Sequence, residues 1–579
     1  MWLSMPTQSV YRIAPRIPSI PFPPLRGGRG RPRPLFAGSF ALVSRRERLA
    51  VAALAAGAAA LALLISWTVL GLVPHVTDSI SYLFQGRILA SGHLYEPPPR
   101  LPALFWQENV ILDPARWCSL YPPGWPLLLA LGWRLHAPWL MTPLLLALAI
   151  AGVWLAGRRL YDPATGLLAA AALACSPFAL LMAADAMAHV PALCATAWCL
   201  AMLAGAMEDR RPPGDVAPSA STPAAATGDA AATGDAAATG RIRRRRLAAA
   251  GLLGGFALLI RPLTAVALLG PAVAWCAIAL ARRRQLSALG WMALGAAPCV
   301  AAMVAYDAAV FGGPLVTGYA LYEPARFARG GAWVPLSVAL LRRLPWYLQN
   351  LNRSLWGLPW GDLPLLAPLL LARPRRAADA VLAACAGCLV LAHCFYFYGD
   401  VVYSGPRMVF ESLGPLSLLA ARSLRTLAGW FDGGLQRLGA AQRRARPLRL
   451  AAAAAAACLL LYFPLGRRLP EQMVHHAGWY MTVSPEPLRA AVRAGLGPDA
   501  LVFVAGNPWC YGAFFLANDL RPETGRRVFV RDIPPLRAAA IAVYPRREVW
   551  LARVDVVIPD PVSDPNVAKP TRLSWQRLR

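Results

Sequence analysis

The chain has 579 residues, of which 57% are hydrophobic, with a mean hydropathy of +0.45 and a formal net charge of +29 at pH 7. Several apolar runs reach the roughly 20 residues needed to cross a bilayer, which excludes a soluble globule and makes the expected class an all-α polytopic membrane protein. The basic residues cluster between the apolar runs, where topology determinants belong, so the charge does not point to nucleic acid as a partner.

Residues 1–44 are rich in Pro and Arg and lack the apolar core of a signal peptide, so they are expected to form a disordered cytoplasmic tail. A first span is predicted from about Leu49 to Leu70. Arg45, Arg46 and Arg48 precede it and by the positive-inside rule stay in the cytoplasm. The next stretch, HVTDSISYLFQGRILASG from His75 to Gly92, is therefore extracytoplasmic and carries Asp78 at the membrane boundary, where a carboxylate is costly unless paired, solvated or used. Its apolar residues recur at helical spacing, as in a helix lying along a membrane surface. Asp78 also stands where an acid can cap that helix, and capping and catalysis are compatible.

The first outer loop, about 71–125, is long and acidic and ends in the proline-stiffened SLYPPGWPLLLALG. Spans follow near Pro138 to Leu155 and Leu167 to Ala184, with Asp185 and His189 at the turn before another run that reaches Glu208. The segment 208–246 combines the repeat AATGDAAATGDAAATG with RIRRRR and is expected to be a disordered cytoplasmic insert closed by an inside anchor. The apolar run from Leu247 to Leu280 is broken by Arg261-Pro262, predicting two helices that meet at an outer turn. A further span near Leu289 to Tyr306 leads to a second outer loop holding Asp307, Tyr319, Glu323 and Arg353, and a span ending at Arg373 returns. The run Ala378 to Phe397 opens on a third outer loop, YGDVVYSGPRMVFE, and two more spans end at about Leu465. About eleven spans result, with the dense arginine clusters on one side.

Residues 466–579 contain no span, and short β-like runs such as LVFVAGN, RVFVRD and EVWLARV alternate with helical stretches. A small extracytoplasmic α/β domain is expected there. Cys118 and Cys510 lie in segments expected outside, where they could pair. Cys385-Ala-Gly-Cys388 has CxxC spacing inside an apolar run, without the surroundings of a metal site.

The expected outer face thus collects Asp78, Glu96, Glu108, Asp113, Asp185, His189, Arg261, Asp307, Tyr319, Glu323, Arg353, Asp400, Arg407 and Glu411. A carboxylate beside the membrane with arginines opposite suits attack by a hydroxyl or amine on a lipid-linked phosphate sugar. The acid takes the acceptor's proton and guanidinium groups hold the departing phosphate. One base without a partner nucleophile implies a single displacement and inversion at the sugar carbon. Arg261 and Arg407 also suit snorkelling interface anchors, and Tyr121, Trp125, Tyr319 and Trp356 suit an aromatic belt as well as sugar stacking. Asp185 and His189 are as compatible with a structural turn as with a role toward the acceptor, and Glu96 and Glu411 with solvated loop acids. A transporter would show inverted repeats and charges near span midpoints, and neither is visible.

Asp78 in HVTDSISYLFQGRILASG, then SLYPPGWPLLLALG, AMAHVPAL, RPLTA, FGGPLVTGY and YSGPRMVFE, in that order, resemble the polyprenyl-phosphate-dependent glycosyltransferases of the GT-C fold. The bacterial branch related to protein O-mannosyltransferases, lipid A aminoarabinose transferases and RgtA/B/C/D-like transferases is the most similar. The resemblance covers about residues 50 to 465. It implies an extracytoplasmic site in a bacterial inner membrane, a polyprenyl-phosphate-linked sugar donor, and a cell-envelope glycan, lipid or protein as acceptor. The role of catalytic base carries over to Asp78. Arg407 of the GPR motif is the first candidate for the donor phosphate and Arg261 the second, with Asp185, His189, Glu96, Tyr319 and Glu411 as support or acceptor contacts. Family members commonly show Asp-Glu where this chain has Asp78-Ser79, and no motif supports a divalent metal or other cofactor. A non-catalytic scaffold derived from such transferases is the alternative that Ser79 and the added tail domain favour.

Overall fold

The computed structural model describes residues 44–208, 229–328, 331–372, 376–399, 401, 405–437, 442–477, 493, 495–506, 511–555 and 572–579. The expected N-terminal tail, the first half of the expected insert, Arg373, Asp400 and Cys510 lie outside these residues.

Among the described residues, seven helices are long and apolar enough to cross a bilayer: Arg45–Thr68, Pro138–Leu160, His189–Met207, Pro262–Arg282, Leu286–Phe311, Ala377–Phe395 and Arg446–Val474. The pair Pro163–Ala174 and Pro177–Ala184, bent by 56°, makes an eighth if it is one span. Its bend falls at Ser176-Pro177. The proline cannot donate to a continuing ladder, and the Ser176 hydroxyl caps the second half by accepting from the Ala179 amide. The chain is a multi-pass membrane protein, but eleven uninterrupted spans are not seen.

Two of the differences have local causes. The helix over Asp229–Ile260 carries its apolar part only from Leu247 onward, because the alanine-rich second half of the expected insert is itself helical. The span expected to end at Arg373 is broken. Helix Leu344–Ser354 gives way to a loop at 355–362 before short turns over Leu363–Leu366 and Pro368–Leu371. In that loop Gly357 and Gly361 have φ of +69° and +89°, a region that favours glycine. The buried Asp362 carboxylate accepts from the amides of Trp356, Gly357 and Leu358 at 2.9, 3.2 and 3.0 Å, meeting the hydrogen bonds that the interrupted helix leaves open.

We label α1 the helix Arg45–Thr68 and α2 the helix Thr77–Ala90. A helix lying on a membrane surface would expose one face, but in α2 the residues from Ser79 to Gly86, and Ile88, are all buried. The cover comes from three sides. A two-stranded antiparallel ribbon, β1 (Val110–Leu112) with β2 (Trp117–Ser119), lies in the loop that follows. The Ser81 hydroxyl bonds Ser119 Oγ at 2.7 Å, and the Ser119 amide donates to Gln85 at 2.9 Å. The helix α3 (Gly124–Arg134) packs closely enough that a Cβ at Gly86 would stand 2.7 Å from Leu129 Cβ. The third side is the C-terminal region.

That region forms a four-stranded sheet in the order β4-β3-β5-β6, from β3 (Ala500–Gly506), β4 (Val528–Arg531), β5 (Glu548–Asp555) and β6 (Arg572–Arg577). β3 pairs parallel with β4 and β5, and β6 closes one edge antiparallel. The helices Gly512–Ala517 and Arg537–Val543 complete an α/β unit. Helical turns continue to Ala477, past the expected boundary at 466. The sheet's core is continuous with that of α2: Phe515 lies 5.0 Å from Phe84 and 5.7 Å from Trp117 between ring centroids. Arg87 Nη1 donates to the Asn518 carbonyl at 2.5 Å and Nη2 meets Asp519 at 3.2 Å. Arg521 stands 3.5 Å from Glu96, and the Arg100 amide donates to Glu523 at 2.8 Å.

Phe515 is 2% exposed, so Phe515→Ala leaves a cavity at this junction and should cost about 3–5 kcal/mol. The expected result is a lower melting temperature of the detergent-solubilised chain and faster proteolytic release of the C-terminal unit.

Candidate active site

Thr77, Asp78 and Ser79 form the first turn of α2, and Asp78 does not cap it: the position before the helix is Val76, which has no side-chain cap. The Asp78 carboxylate instead takes two partners from distant segments. Arg407 Nη1 lies 3.0 Å from Oδ2, and the Tyr121 hydroxyl donates to Oδ1 at 2.6 Å. The Arg407 side chain is 3% exposed and that of Asp78 13%, so the pair is nearly dry while the carboxylate keeps an opening. Burial pushes the Asp78 carboxyl up, but the Arg407 charge and the hydrogen bonds from Tyr121 and Arg407 outweigh it and hold the carboxyl below its usual range. Burial, and then the neighbouring Asp78 charge, push the Tyr121 hydroxyl well above its ordinary value, so Tyr121 stays a donor.

Aromatic rings enclose the pair. Tyr82 stacks against Tyr121 at 4.3 Å, and Tyr319 meets Tyr121 edge-on at 5.8 Å. Arg407 Nη2 donates to the Tyr398 hydroxyl at 3.1 Å and its guanidinium sits 5.5 Å from that ring.

A second ion pair arises from the same segment. Arg407 opens a turn of 3-10 helix, Arg407–Ser412, whose Glu411 is fully buried and pairs with Arg261 at 3.1 Å. Arg261 stands between the helices ending at Ile260 and beginning at Pro262, as the Arg-Pro break predicts, and also donates to the Met408 carbonyl at 3.4 Å. Burial, opposed by Arg261, raises the Glu411 carboxyl to about 7. His189 is 3% exposed, faces Phe410 at 6.3 Å, and neither ring nitrogen has a hydrogen-bond partner among the described residues. The turn before it packs on α2: the Ser79 hydroxyl donates to Met187 Sδ at 3.1 Å. The Asp185 carboxylate accepts from the Ala186 amide at 2.6 Å.

The predicted residues therefore separate. Asp78, Arg407 and Tyr319 meet at one aromatic enclosure, with Arg261, Glu411 and His189 reaching it through the 407–412 turn. Glu96 makes its contacts elsewhere, with His93 at 3.0 Å and Arg521. Asp113 closes its own turn by accepting from the Ala115 and Arg116 amides, and Glu323 pairs with Arg326. Sequence reading did not single out Tyr82 or Tyr398 and read Tyr121 only as belt or stacking aromatic. The signal available for Tyr121 was its place in SLYPPGW, where two prolines fix the backbone beside it.

Among the described residues, no group of three or more His, Cys, Asp or Glu is placed to hold a metal ion. Asp78 is matched by a guanidinium and a hydroxyl donor, and Ser79, where a second acid would stand, is turned onto a thioether. This donor set does not fit a divalent cation.

Chemically, the arrangement keeps a carboxylate ionised and weakly basic. An anion that drew Arg407 away would leave Asp78 buried without its counter-charge and so raise its proton affinity.

The chain is similar to solved structures of membrane transferases. ArnT from Cupriavidus metallidurans bound to undecaprenyl phosphate aligns at 14% identity and a TM-score of 0.50, covering 88% of this chain and 96% of that one. The apo state of the same protein aligns at 15% identity and 0.49, with the same coverage. The archaeal oligosaccharyltransferase AglB from Archaeoglobus fulgidus, in complex with an inhibitory peptide and a dolichol-phosphate, aligns at 12% and 0.47, covering 88% of this chain and 69% of that one. No family model and no curated protein matches the chain. At such identity the first likeness is one of fold: the chain has the GT-C fold.

The depressed carboxyl yields a signed expectation. In the wild type Asp78 favours the folded state at neutral pH, and that contribution is lost as pH falls through its lowered pKa. In Arg407→Gln burial outweighs the remaining hydrogen bond from Tyr121, the carboxyl moves above its usual range, and stability should instead be lost as pH increases through the raised value. Melting temperatures of Arg407→Gln between pH 4 and 8, set against the Asp78→Asn/Arg407→Gln double variant, measure this; parallel profiles would refute the pairing.

Proposed function

We propose that this chain, a multi-pass protein with the GT-C fold, transfers a sugar from a polyprenyl-phosphate donor to an acceptor on the outer face of a bacterial inner membrane. The observation that carries this reading is the Asp78–Arg407 pair, nearly dry yet open at the carboxylate, on a fold shared with a protein solved with undecaprenyl phosphate. The arginine clusters support a cytoplasmic N-terminus with α2 outside. The transmembrane unit is then 45–465, with the first outer loop at 71–125, and the C-terminal α/β unit is extracytoplasmic.

Each group takes one role. The donor phosphate displaces Asp78 from Arg407, and Arg261, already fixed beside the same turn, adds its charge. The acceptor hydroxyl or amine, hydrogen-bonded to Asp78, attacks the anomeric carbon as the bond from that carbon to the phosphate oxygen breaks. The bonding pair leaves with the polyprenyl phosphate, and Arg407 and Arg261 stabilise its growing charge. The acceptor's proton passes to Asp78, whose basicity has risen because its counter-charge has moved. A single displacement inverts the anomeric centre. Tyr121 positions the carboxylate, while Tyr319 and Tyr82 offer faces to the sugar. His189, buried and with no hydrogen-bond partner among the described residues, offers one more N–H toward the phosphate, and Asp185 orders the turn that presents it. Glu411 holds Arg261 in register. Glu96 secures the C-terminal unit, which faces the acceptor.

The test is transfer from a panel of radiolabelled polyprenyl-phosphate sugars, including hexoses and pentoses, in membranes carrying wild type, Asp78→Asn or Arg407→Gln at equal abundance. Wild type should label an envelope glycan, lipid or protein. Asp78→Asn should lose about 10²–10⁴-fold in rate, the worth of a positioned base. Arg407→Gln should lose about 10²–10³-fold. Transfer that survives in Asp78→Asn moves the base to another acid, and no transfer from any donor favours a scaffold or a transporter.

A further inference from the structure

The broken helix at 355–362 leaves a cleft of about 440 Å³ against the last long helix. Its charged walls are Arg353, Arg467, Arg468 and Glu471, with Trp360 and Asn352 beside them. None of the residues around Asp78 lines it. Arg468 pairs with Glu471 at 3.3 Å, and its stem lies on Gly357, where a Cβ would stand 2.6 Å from Arg468 Cγ. Three guanidinium groups thus face one carboxylate. Arg353 and Arg467 make no hydrogen bond or ion pair among the described residues.

Arg353 and Arg467 are both exposed, so water solvates them and they stay open to an anion that reaches the cleft. The volume lies in the range of small-molecule sites, and guanidinium groups match phosphate oxygens by paired hydrogen bonds. The source of that phosphate is indicated by the flank. Leu461 and Tyr462, one to two turns before Arg467 on the same helix, are 51% and 60% exposed, and Trp360, whose ring meets Phe463 at 6.4 Å, is 52% exposed. An apolar, lipid-facing surface runs directly up to a basic cleft, the arrangement that receives acyl chains below and a phosphate headgroup above.

We propose that this cleft binds the phosphate of an anionic phospholipid, with Arg353 and Arg467 on its oxygens and the acyl chains along Trp360, Leu461 and Tyr462. The bound lipid supplies the counter-charge that the protein lacks there and fastens the broken helix to the last span. The site is independent of the transferase reading.

Native mass spectrometry of the full chain in detergent tests it, with palmitoyl-oleoyl phosphatidylglycerol, the zwitterionic phosphatidylcholine of the same acyl chains, and inorganic phosphate as probes. Wild type should retain one phosphatidylglycerol at concentrations at which phosphatidylcholine is not retained. Arg353→Gln/Arg467→Gln should bind it at least about tenfold more weakly, with an unchanged melting temperature in lipid-free detergent. Arg282→Gln/Arg284→Gln, which removes the same charge from other exposed positions, should bind as wild type. Equal retention of the two lipids, or equal loss in both double variants, overturns the proposal. Millimolar inorganic phosphate that stabilises wild type but not Arg353→Gln/Arg467→Gln, without any preference for phosphatidylglycerol, overturns the lipid source in favour of a soluble phosphate.

Discussion

The contact between Asp78 and Arg407 sets the terms for the rest of the molecule. Opposite charges taken out of water repay their desolvation only when geometry is good and the remaining hydrogen-bonding positions are met. Here the carboxylate comes from the start of α2, the guanidinium from a segment more than three hundred residues later, and the hydroxyls from Tyr121 in the first loop and from Tyr398 in the same connection as Arg407. Three parts of the chain therefore meet at this one contact. The Arg261–Glu411 pair repeats the device one turn away, so the segment 407–412 is held at both ends by charge.

Much of this could be read in advance, and the reasons are physical. Asp78 stood out because a carboxylate at a membrane boundary needs a purpose, and the Arg261-Pro262 break because proline at the first helical position is pre-set for a new start. Arg407 was legible through its motif. What the sequence could not convey was pairing: nothing local to Arg407 says that its partner is the acid it was expected to stand beside, or that Glu411 would meet Arg261. Those contacts depend on the packing of distant helices, which has no period.

The misread elements share a different cause. The spacing of α2 fits a surface helix, yet burial of a helix is decided by what covers it, and part of the cover is an α/β unit over four hundred residues away, where Phe515 on the helix Gly512–Ala517 fills the space beside Phe84 and Trp117. The span expected to end at Arg373 was counted as one helix by hydropathy, which is blind to the glycines at 357 and 361 and to an aspartate that satisfies backbone amides in place of helical carbonyls. Conversely, low complexity over the 208–246 segment reads as disorder, although its alanines favour helix once a neighbour anchors one end.

The helix α2 has one more property. Asp78 lies near its beginning and Arg87 nine residues on, a separation of about 13 Å along a stiff rod. One end is held in the ionic enclosure and the other grips the Asn518 carbonyl and Asp519 of the C-terminal unit. The helix therefore ties the two contacts together like a bar of fixed length. The distance from the C-terminal unit to the Asp78 carboxylate is thereby set by the length of a single helix.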